Sequence, residues 1–436
     1  MSTCALGTYC PGPGTGIDYN LEAAVGVFSM HTMSSTFLTR VILKNYKSIA
    51  ACDVQLGPLT FLVGPNGAGK SNFLDALRFV TDSLRSSLEH ALRDRGGIND
   101  VRRRSGGHPN HFGLRLFFAL PSGEVGHYAF RIGARPQGGF EVQDEECKIH
   151  CARALGHTHH FRIKSGEVVE SSQQGPAAAI DRLYLVNASG LPAFRPVYEA
   201  LSHMGFYSLS PDRIRDLQSP DAGMLLARDG SNITSVLAQL KKHNPSRKQR
   251  IEEYLSKVVP GVHSVEVKAV GPKETLEFRQ QVAGSNDPWR FLAANMSDGT
   301  VRAVGILVAL FQGGNGAGSP VPLVGIEEPE IALHPAAAGL LLDGLREASR
   351  STQVIVTSHS PDLLDDQHLD AGSLLAVYAE AGSTHIAAPD QAGRAAVLQR
   401  LYTPGELLRL NQMRPDPESS PDKVDRQLRL LDKESI

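Results

Sequence analysis

The sequence has no long hydrophobic run. Its most apolar stretch, AVGILVALF at residues 303–311, is far shorter than the roughly 18 residues that a membrane-spanning helix needs. Positive charge is also missing from the start of the chain, where the first lysine or arginine is Arg40, so the pattern of a secretory signal is not met. We therefore expect a cytoplasmic protein with no membrane partner.

Cysteine and net charge are scarce as well. The 436 residues include five scattered cysteines, an odd number that suits a reducing compartment and argues against a disulfide framework. Lys and Arg together number 44 and Asp and Glu 46, which leaves a net charge of -2. No global positive field surrounds such a protein, so contact with nucleic acid would require a local basic patch.

What is present is an alternation of strand-like and helix-like segments, which is typical of a parallel sheet covered by helices. At roughly 100–200 residues per domain, the length allows two or three domains, or one domain with a large insertion. We predict a disordered leader (1–36), the first half of an α/β domain with an antiparallel β lobe (37–187), a compact helical insertion (188–260), the second half of the α/β domain (261–390), and a C-terminal helix with a polar tail (391–436).

A glycine-rich loop follows the strand-like residues 59–63. It reads GPNGAGKS and matches G-x-x-x-x-G-K-[ST] in full, and residues 72–95 after it have helical periodicity. Such a loop points successive N–H groups at an anion, and the helix adds its positive N-terminus. Lys70 is then expected at the β- and γ-phosphates and Ser71 at Mg²⁺. The candidate ATP-binding residues are Asn66, Gly67, Ala68, Gly69, Lys70, Ser71 and Asn72.

Two adjacent acids end a second apolar strand. Residues 321–326 lead directly into Glu327 and Glu328, and ligands of doubly wound sheets bind at such carboxyl ends. We expect Glu327 to support the Mg²⁺ shell, and Glu328 to orient and deprotonate the attacking water. A strand that simply ends in solvated acids has the same pattern. The catalytic interpretation is favoured because the glycine-rich loop at residues 64–71, called the P-loop from here on, stands in the same chain.

Two further polar groups stand next to predicted elements. Ser297, Asp298 and Gly299 precede a helix over residues 301–311, where either a bound phosphate or an ordinary helix cap explains them. His359 follows a strand over residues 354–357. Its side chain is either a hydrogen-bond partner of a γ-phosphate or of the attacking water, or a structural histidine.

The order of these four pieces resembles RecF/SMC-like ABC-type ATPases, which belong to the AAA-like group of P-loop ATPases. The matching stretches are GPNGAGKSN (64–72), NMSDGT (295–300), GIEEPE (325–330), ALHP (332–335) and TSHSP (357–361). The resemblance implies an α/β fold: a P-loop ATPase head with a mixed or parallel sheet flanked by helices, an antiparallel β lobe and a compact helical insertion.

The resemblance also implies a mechanism, the hydrolysis of ATP to ADP and phosphate with Mg²⁺ in a homodimer of heads. ATP on the P-loop of one head would contact Ser297, Asp298 and Gly299 of the other. Glu328 would act as general base and His359 would sense the γ-phosphate. The sequence departs from the family pattern in two ways: it has Glu327 where many relatives have Asp, and it shows no evident counterpart of the glutamine that usually joins the Mg²⁺ shell.

The expected role is action on or near DNA, in DNA repair or in defence against phage, with an effector protein from a neighbouring gene. The basic clusters at residues 102–104 and 241–250 are candidate DNA contacts, although such clusters are more often solvated faces. Two alternatives remain. One is an ABC transporter ATPase subunit, against which stand the long gap between P-loop and acids and the lack of a close LSGGQ match. The other is a nucleotide-gated switch with negligible turnover.

Overall fold

The computed structural model describes residues 36–105, 109–151, 157–313, 321–419 and 430–431. The predicted leader, except for Thr36, lies outside the described residues, and so does most of the predicted polar tail after residue 419. Among the described residues, no helix is both long enough and apolar enough to span a bilayer.

Most strands of the described chain belong to one large sheet, and three form a small second sheet. The strands are β1 (Leu38–Tyr46), β2 (Ile49–Gln55), β3 (Leu59–Val63), β4 (His111–Ala119), β5 (Glu124–Ala134), β6 (Phe140–Cys151), β7 (Thr158–Lys164), β8 (Glu167–Ser171), β9 (Gly205–Tyr207), β10 (Val262–Val270), β11 (Lys273–Gln280), β12 (Trp289–Leu292), β13 (Leu323–Glu327), β14 (Gln353–Ser358), β15 (Leu374–Glu380) and β16 (Ser383–Ala387). The helices are α1 (Lys70–Arg85), α2 (Leu88–Arg93), α3 (Ile98–Val101), α4 (Tyr184–Ala188), α5 (Arg195–Ser202), α6 (Pro211–Arg215), α7 (Ile233–His243), α8 (Pro245–Val258), α9 (Asp298–Phe311), α10 (Ala338–Ala348), α11 (Gln391–Leu398) and α12 (Pro404–Arg409).

The large sheet is mixed, as predicted. Its order is β8-β7-β6-β5-β4-β1-β2-β16-β15-β3-β14-β13-β9. The strands from β8 to β4 and on to β1 and β2 pair antiparallel and form the predicted β lobe. The strands from β15 through β3, β14 and β13 to β9 are all parallel. The predicted mixed α/β fold is therefore confirmed.

Both faces of the parallel strands are buried. Leu323 and Ile355 pack into a core that contains α1 and the β lobe, whereas Val324 and Val356 pack into a second core that contains α7 to α10. Because successive side chains of a strand point to opposite faces, these strands are hydrophobic at almost every position. The same alternation decides which face each residue at the strand ends will point to.

The structure differs from the sequence-based expectations in two places. The helical periodicity over residues 72–95 is divided between α1 and α2, because Ser87 adopts an extended backbone and its side chain accepts a hydrogen bond from the backbone N–H of His90. The segment 188–260, predicted as a helical insertion, also contains β9, which extends the main sheet beyond β13. Three residues are too short a run to be recognised as a strand from sequence. The proposed division into domains remains a prediction.

A cluster of charges fixes α1 to the turn between β1 and β2. The Asp75 carboxylate accepts a hydrogen bond from Tyr46 (2.9 Å) and is paired with Lys47 (2.6 Å), Arg78 (2.7 Å) and Arg95 (3.0 Å). Burial raises the pKa of Asp75, but the positive charges of Arg95 and Lys47 outweigh burial and lower this pKa to about 2. The ionised carboxylate therefore stabilises the folded state.

We predict that Asp75→Asn lowers the free energy of unfolding by ~2 kcal/mol at pH 7, as follows from the depressed pKa. A carboxyl with a lowered pKa stabilises the fold above its ordinary pKa of 3.8 and loses that contribution as the pH falls toward 2. The difference between variant and wild type should therefore shrink below pH 4. Denaturant titrations between pH 3 and pH 7 measure it. Asp94→Asn, which changes an exposed carboxylate, is the control, and an equal loss in both variants would contradict the prediction.

Candidate functional site

The loop after β3 has the backbone conformation that its glycines permit. Gly67 (φ +76°) and Gly69 (φ +102°) lie in the left-handed region, which favours glycine. A Cβ atom on Gly64 would lie 2.0 Å from the carbonyl oxygen of Val377 in β15, so the loop packs directly on the neighbouring strand. The helix α1 begins at Lys70, and its first N–H groups have no partner within the helix.

Lys70 is held inside the loop. It is only 5% exposed, and its Nζ donates to the carbonyl oxygens of Gly64 (2.8 Å) and Pro65 (3.0 Å). Burial lowers the pKa of Lys70, while the negative charges of Glu328 and Glu330 act in the opposite direction. The ammonium group is therefore within electrostatic range of two carboxylates that lie far away in the sequence.

Strand register brings the P-loop and the acid pair together. β14 lies between β3 and β13, with Ser358 opposite Val63 on one side and Thr357 opposite Glu327 on the other. Neighbouring strands are about 4.8 Å apart, so Val63 and Glu327 are separated by on the order of 10 Å. All three strands are parallel, and their carboxyl ends form one edge of the sheet.

Glu328 and His359 contact each other at this edge, with Glu328 Oε1 3.1 Å from His359 Nδ1. The backbone of Glu328 is in the left-handed region (φ +44°), which is unusual for a glutamate, and its N–H donates to Thr357 O (3.0 Å). Glu330 accepts hydrogen bonds from the Ser358 hydroxyl (2.7 Å) and from the backbone N–H of His359 (3.3 Å). The two segments that carry the acids and the histidine are thus joined by direct hydrogen bonds.

Glu327 points to the side of the sheet that carries α1. Gly325, two residues earlier, faces Leu74 of α1, and a Cβ atom there would lie 3.3 Å from that side chain. The Glu327 carboxylate forms an ion pair with Arg228 (3.0 Å). The exposed Ser71 stands in the first turn of α1, on the same side of the sheet.

The donor set at this edge suits Mg²⁺ bound together with a nucleotide. No group of three His, Cys, Asp or Glu side chains within the described ranges is arranged to hold a metal ion. Mg²⁺ at nucleotide sites needs only one or two protein oxygen ligands, because phosphates and waters supply the rest. The Ser71 hydroxyl and the Glu327 carboxylate are hard oxygen donors of this kind, and their assignment as ligands stays a prediction.

Ser297, Asp298 and Gly299, the residues predicted to contact ATP of the other head and called here the signature loop, lie at the start of α9. The Ser297 side chain caps the helix, Asp298 is ion-paired with Arg215, and Gly299 lies so close to Ala332 that a Cβ atom would be 2.5 Å from its carbonyl oxygen. Ser297 and Asp298 are exposed. Among the described residues, no hydrogen bond or ion pair joins these three residues to the P-loop of the same chain.

Sequence reasoning missed Thr384, a fully buried residue of β16. Its hydroxyl donates to Ala68 O in the P-loop (2.9 Å) and lies 2.7 Å from the Ser48 hydroxyl, which in turn accepts from the side chain of Asn72 (2.7 Å). A Cβ atom on Gly69 would lie 2.2 Å from the Thr384 hydroxyl. Thr384 therefore holds the P-loop in place through a hydrogen bond to Ala68 and close packing against Gly69. Sequence motifs do not identify Thr384, because it is a single threonine that lies far from the P-loop in the sequence.

The described residues do not reveal the glutamine that usually joins the Mg²⁺ shell either. Gln218 lies after β9, the strand next to β13. It is buried, and its side-chain amide is hydrogen-bonded to backbone groups of neighbouring segments. It donates to Arg213 O (3.1 Å) and Gly230 O (3.1 Å) and accepts from Thr234 N (3.1 Å). It is a structural residue in this position.

Several residues of the two basic clusters already have partners within the chain, and four of them, Arg104, Lys241, Lys248 and Arg250, form ion pairs. The pairs and hydrogen bonds are Arg103 with Ser383, Arg104 with Asp100, Lys241 with Glu266, Lys248 with Glu252 and Arg250 with Glu347. Such pairing reduces the positive charge that either cluster presents to a phosphate backbone. DNA contact by these clusters stays a prediction.

A protein family described as "AAA domain, putative AbiEii toxin, Type IV TA system" matches residues 59–130 and 205–365, which is just over half of the chain. The chain belongs to this AAA family. The match covers the P-loop and the acid pair, and it includes β9 in its second part. The protein is therefore an ATP-binding P-loop ATPase head of the group that contains SMC, RecF and OLD proteins.

Curated relatives come from these groups. OLD nuclease of Thermus scotoductus is 24% identical over 346 residues, 77% of this chain and 61% of that protein. RecF of Magnetococcus marinus is 26% identical over 231 residues, 51% of this chain and 55% of RecF. Structural maintenance of chromosomes protein 1 of Schizosaccharomyces pombe is 30% identical over 158 residues, 32% of this chain and 13% of that protein. The AAA chain thus matches less than two thirds of the length of each relative.

Solved structures support the fold of this AAA head. An Smc head bound to the C-terminal winged-helix domain of ScpA has a TM-score of 0.52 at 17% identity, and the match covers 80% of this chain and 97% of that chain. The Smc head of Pyrococcus furiosus has a TM-score of 0.50 at 14% identity, with 84% and 99% covered. At such low identity these likenesses show the SMC-head fold alone.

We predict that Thr384→Val weakens ATP binding severalfold, because it leaves the Ala68 carbonyl and the Ser48 hydroxyl without this partner. The lost contacts should also lower the free energy of unfolding by roughly 1–2 kcal/mol. Thr384→Ser keeps the hydroxyl and should restore the affinity, which titration calorimetry with ATP measures. Equal ATP affinities of the Val and Ser variants would show that the hydroxyl does not position the loop.

Proposed function

We propose that this AAA head is a Mg²⁺-dependent ATPase whose two copies close head-to-tail around ATP, and that it acts on or near DNA with an effector protein. The observation that carries the proposal is the contact between Glu328 and His359 at the sheet edge where the P-loop begins. Phosphoryl transfer depends mostly on positioning and charge, so a base, a polar sensor and a phosphate cradle at one edge form a sufficient set.

The P-loop would bind the triphosphate by exchanging its internal hydrogen bonds. Lys70 would leave the carbonyls of Gly64 and Pro65 for the β- and γ-phosphates, which accept stronger, charge-assisted bonds. The free N–H groups at the start of α1 would face the same anion. Ser71 and Glu327 would hold Mg²⁺, which neutralises charge on the phosphates. The remaining candidates, Asn66, Gly67, Ala68, Gly69 and Asn72, shape the cradle.

Glu328 would accept the proton of the attacking water. Its contact with His359 fixes the direction of the carboxylate, and the two hydrogen bonds from Ser358 and His359 to Glu330 fix the histidine segment. His359 itself would then contact the γ-phosphate. A general base must lie within hydrogen-bond reach of its proton, and this bracing supports that geometry.

The exposed signature loop supports a dimer in which ATP is shared. Ser297 and Gly299 would offer donors to the phosphates bound by the other copy. Within one chain, Arg302 of α9 donates to the backbone oxygens of Glu328 (3.1 Å) and Glu327 (3.5 Å). In the proposed dimer, the helix that begins at one ATP site would touch the acids of the other site and so link the two.

Of the two proposed settings, DNA repair and phage defence, the names of the relatives support the first. RecF is named for DNA replication and repair, and OLD nuclease is named as a nuclease. The chain matches 61% of OLD nuclease. We propose that a partner supplies the effector activity, and that its gene lies beside the gene of this chain. Co-purification of the two products would test this part.

Replacing the proposed base tests the dimer and the chemistry together. Glu328→Gln should leave ATP binding intact, reduce turnover by roughly 10²-fold or more, as expected for loss of a general base, and trap a dimer with ATP and Mg²⁺. Phosphate release and light scattering measure the two effects. Glu253→Gln, at a partly exposed acid of α8, is the control. A Glu328→Gln chain that stays monomeric with saturating ATP and Mg²⁺ would refute the two-head mechanism.

The P-loop lysine gives a separate test. Lys70→Ala should abolish or strongly weaken ATP binding, because among the described residues Lys70 is the cation that the loop encloses. Binding of a fluorescent ATP analogue measures the loss, and Lys242→Ala, on the exposed side of α7, should bind normally. Hydrolysis at the wild-type rate in Lys70→Ala would remove the assignment of the loop.

A further inference from the structure

Arg228 is bound to the acid that is proposed to support Mg²⁺. Its guanidinium lies 3.0 Å from Glu327 Oε1, in a pair whose side chains are 49% and 25% exposed respectively. Neither the P-loop motif nor the family resemblance assigns a role to Arg228. A guanidinium is always charged, so this carboxylate carries a permanent cation as its neighbour.

Hydrogen bonds hold the backbone around Arg228 in place, so the fold positions Arg228 for its ion pair with Glu327. The Arg228 carbonyl oxygen accepts from Ser208 N (3.0 Å), directly after β9, and β9 is the strand that pairs with β13. The preceding residue, Ala227, donates its N–H to the side chain of Asn232 (2.7 Å), which also donates to Leu225 O (3.1 Å). The fold therefore places Arg228 beside the carboxyl end of β13.

The other cations near the acids bind backbone oxygens. Lys70 donates to the carbonyls of Gly64 and Pro65, and Arg302 donates to the carbonyls of the acid pair. Glu328 is paired with His359. Arg228 differs because it neutralises a carboxylate directly, and that carboxylate is the proposed metal ligand.

We propose that Arg228 competes with a divalent cation for Glu327, so that the head binds free Mg²⁺ poorly and takes up the metal together with the triphosphate. This inference rests on the proposed function in one respect, the assignment of Glu327 to the metal. A metal ion and a guanidinium repel each other, so each weakens the binding of the other to the same carboxylate. A triphosphate resolves the competition, because it brings several negative charges for the metal and the arginine to share.

The test measures metal binding without any nucleotide. Mn²⁺ replaces Mg²⁺ as the probe, and electron paramagnetic resonance counts the free ion during a titration of the full chain. Arg228→Gln should bind Mn²⁺ roughly two- to fivefold more tightly than the wild type, the range expected for a partly exposed ion pair. Arg228→Lys retains the positive charge and should stay close to the wild type.

Two controls show where the gain comes from. Arg213→Gln removes another exposed arginine of the same region, one that faces Asp229 rather than Glu327, and should leave Mn²⁺ affinity unchanged. The double variant Arg228→Gln, Glu327→Gln should lose the gain. Thermal melting confirms that each variant is folded.

An unchanged Mn²⁺ affinity in folded Arg228→Gln would overturn the proposal, and so would a gain that survives in the double variant. Because no nucleotide is present, the outcome does not depend on hydrolysis. Failure of the proposed ATPase function would appear instead in the Lys70 and Glu328 variants.

Discussion

The register of three parallel strands is the constraint on which the site depends. Hydrogen bonds between β3, β14 and β13 set Val63, Ser358 and Glu327 along one edge, and buried side chains on both faces lock that register. A shift of one residue would turn every side chain of a strand to the opposite face. Glu327 would then leave the face that carries α1, and the hydrophobic residues of β13 would change cores. The register that buries the hydrophobic side chains of the sheet is therefore the same register that positions the residues of the site.

Immediately beyond the strand, the backbone bends in a way that costs free energy. Glu328 occupies the left-handed region, which costs a non-glycine residue on the order of 1–3 kcal/mol. Its N–H is held by Thr357, and its carbonyl oxygen by Arg302. The neighbours on both sides thus stabilise a conformation that the residue would not choose alone. The bend aims the carboxylate of Glu328 at His359 and separates it from Glu327, so that two adjacent acids serve different partners.

The sequence predicts those parts of the site whose functional residues lie close together in the chain. The P-loop needs glycines, a lysine and a hydroxyl at fixed spacing, and an apolar strand ending in acids is also a local pattern. Thr384 and Arg228 escape prediction because each acts through a contact with a distant element. Thr384 contacts Ala68 and Arg228 contacts Glu327. Both contacts exist only because β16 and β9 join the sheet. For the same reason the sequence predicts a helical segment around β9, because these three residues acquire strand character from their pairing with β13.

Lys70 and Arg228 share a property that bears on how the head distinguishes nucleotides. Each cation has acceptors within the chain: Lys70 has the carbonyls of its own loop, and Arg228 has Glu327. Binding of a nucleotide is then an exchange of partners, and the net free energy is the difference between two sets of bonds. A triphosphate offers Lys70 charge-assisted bonds that exceed what neutral carbonyls provide, and it offers Arg228 an anion in place of the carboxylate that Arg228 already contacts. A diphosphate offers fewer acceptors and less charge, so the exchange is less complete. In the proposed mechanism the internal contacts lower the affinity for either nucleotide, and a preference for the triphosphate comes from the extra acceptors and charge of its γ-phosphate.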